Sequence, residues 1–179
     1  MLQLDRQLDR RILVVGNSAA GKTTLARDLA ARWGYSHVEL DSLYWGPNWQ
    51  PAAEDEFRTR VAAAVAGDSW IVDGNYFTVR ELTWPRATAL VWLNYSLPVV
   101  LRRGIARSVR RVLSRQELFG GNRESWRQML SGDDIPAWIV RMHWRRRAEI
   151  RSLLKRPECQ HLRLFECASP ADAQRLLRA

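Results

Sequence analysis

The segment Gly16-Asn17-Ser18-Ala19-Ala20-Gly21-Lys22-Thr23 constrains this chain more than any other, because it satisfies the pattern G-x-x-x-x-G-K-[ST]. The pattern has a physical meaning. Glycines let successive backbone N–H groups turn inward around an anion, and a helix starting there points its positive end at the same place. A lysine then reaches the outer phosphates, and a hydroxyl can ligate Mg²⁺. A chance match in a chain of this length is on the order of one in a hundred from ordinary residue frequencies. The context also fits. Arg11 to Val15 reads as a buried strand, and Thr23 to Trp33 reads as a helix with Leu25, Leu29 and Trp33 every four residues and Gly34 as its stop. Residues Gly16 to Thr24 are therefore the expected phosphate-binding turn.

Short apolar runs and helical patterns alternate along the remainder. Strands are expected at Ser36 to Leu40, Trp70 to Val72, Ala89 to Leu93 and His161 to Phe165. A helix opened by Pro51 covers Ala52 to Ala66, with Phe57, Val61 and Val65 on one face. Ser96 and Pro98 start another, and Pro136 opens a long one to about Lys155. Ser169 to Asp172 resembles a capped start for a last helix over 170–178. This alternation predicts a single α/β domain over residues 1–179, with three layers around a parallel sheet. Ligands in such folds sit outside the carboxyl ends of the strands, so the informative residues are those just after each strand. Residues 114–135, irregular and glycine-containing at their centre, are the expected lid.

Two carboxylates meet that criterion. Asp41 follows the second strand and Asp73 the third. Each could serve Mg²⁺ or an attacking hydroxyl. Each also has a plainer reading, Asp41 as a helix cap and Asp73 as half of an Asp-Gly turn. Trp45 and Trp49 lie in a Gly/Pro-containing loop near Tyr44 and Tyr76. They could wall a substrate pocket, stack a base or simply cover the sheet end. Trp70 and Trp92 lie within strands and are expected in the core.

The formal net charge is +9, carried almost wholly by arginine, since only Lys22 and Lys155 are lysines. Guanidinium matches phosphate in a bidentate fork, so phosphate-bearing ligands are favoured, without deciding between a nucleotide and a nucleic acid. Arg102, Arg103, Arg107, Arg110 and Arg111 precede the lid stretch and Arg141 to Arg151 follow it. The first five are too many for one active site; no more than two or three of them should meet ligand, the rest being solvated or bound to a polyanion. Cys159 and Cys167 show no CxxC spacing and are expected as reduced, partly buried thiols. Met1 to Arg10 reads as a loose charged arm without the apolar core of a signal peptide, and no run approaches the ~20 apolar residues of a membrane span. A cytoplasmic location is expected.

Further segments carry a family resemblance: Asp41-Ser42-Leu43-Tyr44-Trp45 with Trp49, Trp70-Ile71-Val72-Asp73-Gly74-Asn75-Tyr76, Trp84-Pro85-Arg86-Ala87, Gly121-Asn122-Arg123-Glu124-Ser125, then Trp138 and His143. From about Ile12 to Phe165 the chain resembles the DNA topology modulation proteins, a bacterial family related to adenylate kinase and shikimate kinase. The resemblance implies a P-loop NTPase fold with five parallel strands in the order 2-3-1-4-5 and a helical lid. It implies ATP as cofactor with Mg²⁺, Gly16 to Thr24 cradling the triphosphate, and Thr23 and Asp73 placing the metal. Asp73-Gly74 is similar to the Asp-Gly ending the third strand of adenylate kinases. The following Asn75-Tyr76 departs from their Phe-Pro-Arg, which argues against AMP as acceptor. Asp41 looks like the shikimate kinase aspartate that meets the acceptor hydroxyl. Asn94 and Thr88 stand where relatives often have Asp.

The resulting expectation is a phosphotransferase moving the ATP γ-phosphate to a small acceptor. Lys22, Asp41, Arg103, Arg107 and Arg123 would do the chemistry, and Asp41, Trp45, Trp49, Gly74, Asn75 and Tyr76 would line the acceptor site. The alternatives are a nucleic-acid-binding ATPase and an ATP-binding regulator without turnover.

Overall fold

A computed structural model describes residues 3–125 and 135–178. Five strands form one parallel sheet in the order β2-β3-β1-β4-β5. They are β1 (Arg11–Gly16), β2 (Ser36–Glu39), β3 (Trp70–Asp73), β4 (Ala89–Leu93) and β5 (Arg163–Cys167). Parallel neighbours need crossover connections, and helices supply them. These are α1 (Lys22–Trp33), α2 (Leu40–Tyr44), α3 (Glu54–Ala64), α4 (Arg80–Thr83), α5 (Leu97–Ser114), α6 (Ile135–Leu154) and α7 (Pro170–Arg178).

The central strands β3, β1 and β4 are buried on both faces, as a sheet covered on both sides requires, whereas the edge strands β2 and β5 carry polar residues. Ile12 and Val14 of β1 join a cluster with Leu25, Leu29 and Trp33 of α1 and Leu176 of α7. Leu13 and Val15 point the other way, to Phe57, Val61 and Val65 beside Trp70 and Trp92. Burying each of these large side chains stabilises the fold by about 1.5–3 kcal/mol. The helix α6 contributes Ile139 to the first cluster but Ile150 and Leu153 to the second, so it runs across from one layer to the other. The chain leaves β1 toward β2 and β3 on one side and later returns to β4 on the other. The carboxyl end of β1 is thus the switch point where a ligand crevice opens.

Several boundaries differ from the sequence reading. The second strand stops at Glu39. Leu40 starts α2, so Asp41 lies in the first turn of a helix rather than directly after a strand. The third helix begins at Glu54, with Glu54, Asp55 and Glu56 in its first turn, where acidic groups suit the helix dipole. The fifth strand starts at Arg163, two residues late, because Leu162 N–H closes a turn on the Cys159 carbonyl. Ser169 and Asp172 exchange side-chain to backbone bonds of 2.8 and 3.3 Å, a capping box at α7.

The N-terminal arm is not loose over its described part. Leu4 is buried in the core, and the buried Asp9 carboxylate accepts from Arg163 at 2.7 Å and from Asp5 N–H at 2.8 Å. The two bonds oppose the cost of burying the charge without cancelling it, and burial holds the Asp9 pKa above its ordinary value. Both cysteines are free and buried, and burial holds their thiols above the ordinary range, Cys167 at about 12. Of the expected lid, residues 126–134 lie outside the described residues. Among the described residues no helix is long and apolar enough to cross a membrane.

Candidate functional site

Strand β1 ends at Gly16 and the turn over residues 17–21 leads into α1. Gly16 (φ 150°), Ala19 (φ 60°) and Gly21 (φ 99°) take positive φ, which bends the backbone back on itself and directs N–H groups inward. A Cβ at Gly16 would lie 2.7 Å from the Leu93 carbonyl oxygen, so glycine is required there by space as well as by torsion. The N-terminus of α1 has no side-chain cap and no acidic residue in its first turn. Its free N–H groups and the helix dipole are therefore available to an anion. Not every donor of the turn is free: the Ser18 N–H is taken by Asn17 Oδ1 at 2.8 Å. Lys22 reaches across the turn to the Asn17 carbonyl at 3.2 Å. Burial lowers the pKa of Lys22, while Asp41 and Asp73 oppose the shift. Thr24 is exposed on the helix surface.

Thr23 is the centre of the polar cluster. Its hydroxyl lies 2.9 Å from Asp73 Oδ1 and 3.1 Å from Glu39 Oε1. Glu39 and Asp73 are register partners at the ends of β2 and β3, which brings both carboxylates to the start of α1. His37 Nε2 lies 2.7 Å from the other Asp73 oxygen. Burial raises the pKa of Glu39, and Asp73 adds to the rise, so the cluster has more negative charge than it holds comfortably. The misread end of β2 hid Glu39 from the sequence reading. Among the described residues no three or more His, Cys, Asp or Glu side chains form a metal cage.

The remaining acceptor-side residues gather around Tyr76. Its hydroxyl donates to Asp41 Oδ1 at 2.6 Å, and burial followed by the Asp41 charge pushes its pKa up. Tyr76 also packs on Tyr44 and Phe57 at ring distances of 4.7 and 5.2 Å. Asn75 zips its side chain onto Gly16: Nδ2 donates to the Gly16 carbonyl at 2.6 Å, while Gly16 N–H approaches Oδ1 at 3.4 Å. Gly74 has φ 138°, and a Cβ there would lie 2.8 Å from Leu40 Cβ. Trp45 and Trp49 meet edge to face at 5.8 Å. Their loop is held by the buried Asn122, which accepts from Trp49 N–H at 3.0 Å and donates to the Gly46 carbonyl at 2.8 Å. The two segments Asp41 to Trp49 and Gly121 to Ser125, distant in sequence, thus form one structure.

The arginines divide clearly. Arg103 approaches the turn: a Cβ on Gly21 would lie 3.2 Å from its Nη2. Arg107 is half-buried, and its Nε is buried without a hydrogen-bond partner. Burial and then Arg111 lower its pKa to about 10, against the pull of Glu124 and Asp41. Arg123 is exposed, and its described bond is to Glu117 at 2.5 Å; no described contact brings it to the turn. Arg146, which the sequence did not single out, donates to the Asn75 carbonyl at 3.0 Å and adds its charge to the field on Lys22. Nothing in the run Arg145-Arg146-Arg147 marks the middle one, because only the placement of α6 decides which arginine faces the site.

No family model matches the chain, and no curated protein matches it. Among solved structures it is similar to shikimate kinase from Acinetobacter baumannii in complex with shikimate, at 17% identity and a TM-score of 0.56, covering 97% of this chain and 90% of that one. The chain has the three-layer P-loop NTPase fold, with five parallel strands in the order 2-3-1-4-5. A second likeness, to a gluconokinase from Sinorhizobium meliloti 1021, has 17% identity, a TM-score of 0.47, and coverage of 96% of this chain and 93% of that one. That score is too low to carry weight. At these identities the likeness concerns the fold alone, and the chemistry rests on the site.

Proposed function

We propose that the chain is an ATP-dependent phosphotransferase acting on a small acceptor that carries a hydroxyl or phosphate. One observation carries this reading: the Thr23 hydroxyl, next to Lys22 at the start of an uncapped helix, lies within 3.1 Å of both Glu39 and Asp73. A phosphate-binding turn needs donors for the phosphates and, beside them, oxygen ligands for the accompanying cation. Both are present. The Thr23 hydroxyl with the Asp73 and Glu39 carboxylates would hold Mg²⁺, which would supply charge neutralisation at the phosphates.

The chain's own groups have these roles. Backbone N–H groups of residues Gly16 to Thr24 and Lys22 hold the triphosphate. Asp41 accepts a bond from Tyr76 and is the acceptor-side carboxylate that would orient a hydroxyl. Trp45, Trp49, Gly74 and Asn75 shape that side. Arg103, Arg107 and Arg146 surround the turn from α5 and α6. Arg107, half-buried with Nε free, is placed to stabilise charge that moves during transfer. Arg123 would take part only if the 114–135 region moves it inward. The segment resemblances support placing the chain beside the DNA topology modulation proteins.

The basic surface supports a second reading, a nucleic-acid-binding ATPase. Helix α5 has five arginines and no acidic residue. The two are separated by assaying Arg103→Ala and Arg107→Ala for ATP turnover and for duplex binding across salt concentrations. The kinase reading expects turnover to fall more than ATP affinity. It is overturned for these residues if turnover survives while DNA affinity falls and the salt slope loses about one unit.

A further inference from the structure

His143 is buried on α6, and the roles above leave it without one. One turn earlier on the same helix, the Ile139 carbonyl accepts from Asn17 Nδ2 at 3.0 Å. Asn17 is the second residue of the phosphate-binding turn and is itself buried. Its amide orientation is fixed, because Oδ1 accepts Ser18 N–H while Nδ2 donates to Ile139. The second hydrogen on Nδ2 faces His143 Nδ1, 3.4 Å away. A lone pair on Nδ1 would accept it, which is the neutral ring with its hydrogen on Nε2.

Nε2 lies 3.4 Å from Arg147 Nη1, a second donor. Arg147 is occupied elsewhere: its Nε donates to Asn94 Oδ1 at 2.5 Å, and Asn94 donates on to Glu166. Glu166 is thus reached only through two intervening side chains. On the turn side, Lys22 bonds the Asn17 carbonyl and adds positive charge. Trp144 meets the ring edge-on at 4.8 Å. Both imidazole nitrogens therefore face donors, and a neutral ring has one lone pair to offer; Arg147 is already held by Asn94 through Nε and Nη2, which leaves the fixed Asn17 amide as the donor the lone pair serves.

We propose that His143 is a positioning residue whose unprotonated Nδ1 latches α6 to Asn17, holding the phosphate-binding turn in its nucleotide-binding shape, and that protonation of the ring releases the latch. The proposal rests on reading the turn as a nucleoside triphosphate site. An imidazolium would set a donor against the Asn17 donor and a second cation beside Arg147. Burial and then Arg147 already hold the ring's pKa below its ordinary value. The latch is therefore closed at neutral pH and opens only on the acid side, below about pH 6.5. Arg146 on the same helix holds the Asn75 carbonyl, so release would disturb the acceptor side too. Bound phosphates would attract an imidazolium and act in the opposite sense, which makes the sign of the pH limb diagnostic.

The test is calorimetric titration with ATP and Mg²⁺ of the parent, His143→Asn, His143→Leu and Lys22→Ala, at about pH 7.5 and about pH 5.5. Asparagine places Oδ1 near the position of Nδ1 and does not titrate; leucine fills space without an acceptor. His143→Asn is expected to bind within about twofold of the parent at the higher pH and His143→Leu about tenfold more weakly, the loss of roughly one hydrogen bond. On acidification the parent should lose more affinity than His143→Asn, by up to about tenfold, the limit set at about pH 5.5 by a ring that titrates below its ordinary value. The nucleotide's own titration is common to both and cancels. Parallel pH dependence in the two, or tighter binding by the parent at the lower pH, overturns the latch. If the parent binds no ATP, or Lys22→Ala binds equally well, the nucleotide reading fails instead. The ¹⁵N shifts of the His143 ring then still decide: hydrogen on Nε2 is expected, and hydrogen on Nδ1 overturns the proposal.

Discussion

Thr23 is a single hydroxyl shared between two carboxylates, and that sharing sets what each carboxylate can do. Asp73 is buried and holds His37 as well, whereas the Glu39 carboxylate accepts from Thr23. Because its folded pKa is raised, Glu39 withdraws stability once it ionises, so the penalty is absent at low pH and present above the folded pKa. Glu39→Gln should therefore raise the melting temperature at neutral pH by about 2 °C, what roughly 1 kcal/mol gives in a chain of this size, while weakening Mg²⁺ dependence. A calorimetric scan with and without Mg²⁺ measures both effects. The two aspartates should part ways. Asp73→Asn is expected to weaken Mg²⁺ dependence, and Asp41→Asn to lower transfer to the acceptor with little change in metal response. Metal titration alongside acceptor kinetics checks this, and swapped phenotypes would refute the assignment. The sequence made Asp41 and Asp73 visible because each follows an apolar run. Glu39 was hidden by a strand end misplaced by one residue, and Arg146 by the two arginines flanking it.

At the scale of elements, the turn over Phe119–Gly121 docks on the Trp45–Trp49 loop through close backbone approach. A Cβ on Gly120 would lie 2.6 Å from the Gly46 carbonyl carbon, and its φ of 64° is strained for any side chain. Gly120→Ala should undock this turn, speeding amide exchange at 45–51 and 119–122 by at least about tenfold, since a clash of this kind costs roughly 1–3 kcal/mol. Exchange unchanged there would mean the contact is not formed in solution. Strand β1, helix α1 and the order of alternation were legible because burial on both faces leaves an unbroken apolar run and the turn pattern fixes its neighbours. The docking of residues 119–122 was not legible. It joins segments some seventy residues apart through one asparagine, and no periodicity records such a pairing. The N-terminal arm was misjudged for a related reason: its ordering depends on Arg163, at the far end of the chain.

Across the whole molecule, two layers of helix meet at the carboxyl edge of one sheet, and α6 links both layers to the turn through Asn17, Asn75 and its own apolar face. The net charge of +9 predicts weak binding to duplex DNA that falls with salt and is indifferent to Lys22→Ala, since a surface field does not depend on one half-covered lysine. Filter binding across a salt series tests that expectation. The central claim is that Gly16 to Thr24 hold a nucleoside triphosphate for transfer of its γ-phosphate. Calorimetric titration of the parent and of folded Lys22→Ala with ATP and Mg²⁺, followed by phosphate release on the same samples, tests it most directly. Saturable one-site binding is predicted for the parent, with affinity reduced by about tenfold or more in the variant, as loss of a charge-assisted bond implies, and with turnover abolished. Equal affinity and equal turnover in the two proteins would contradict it.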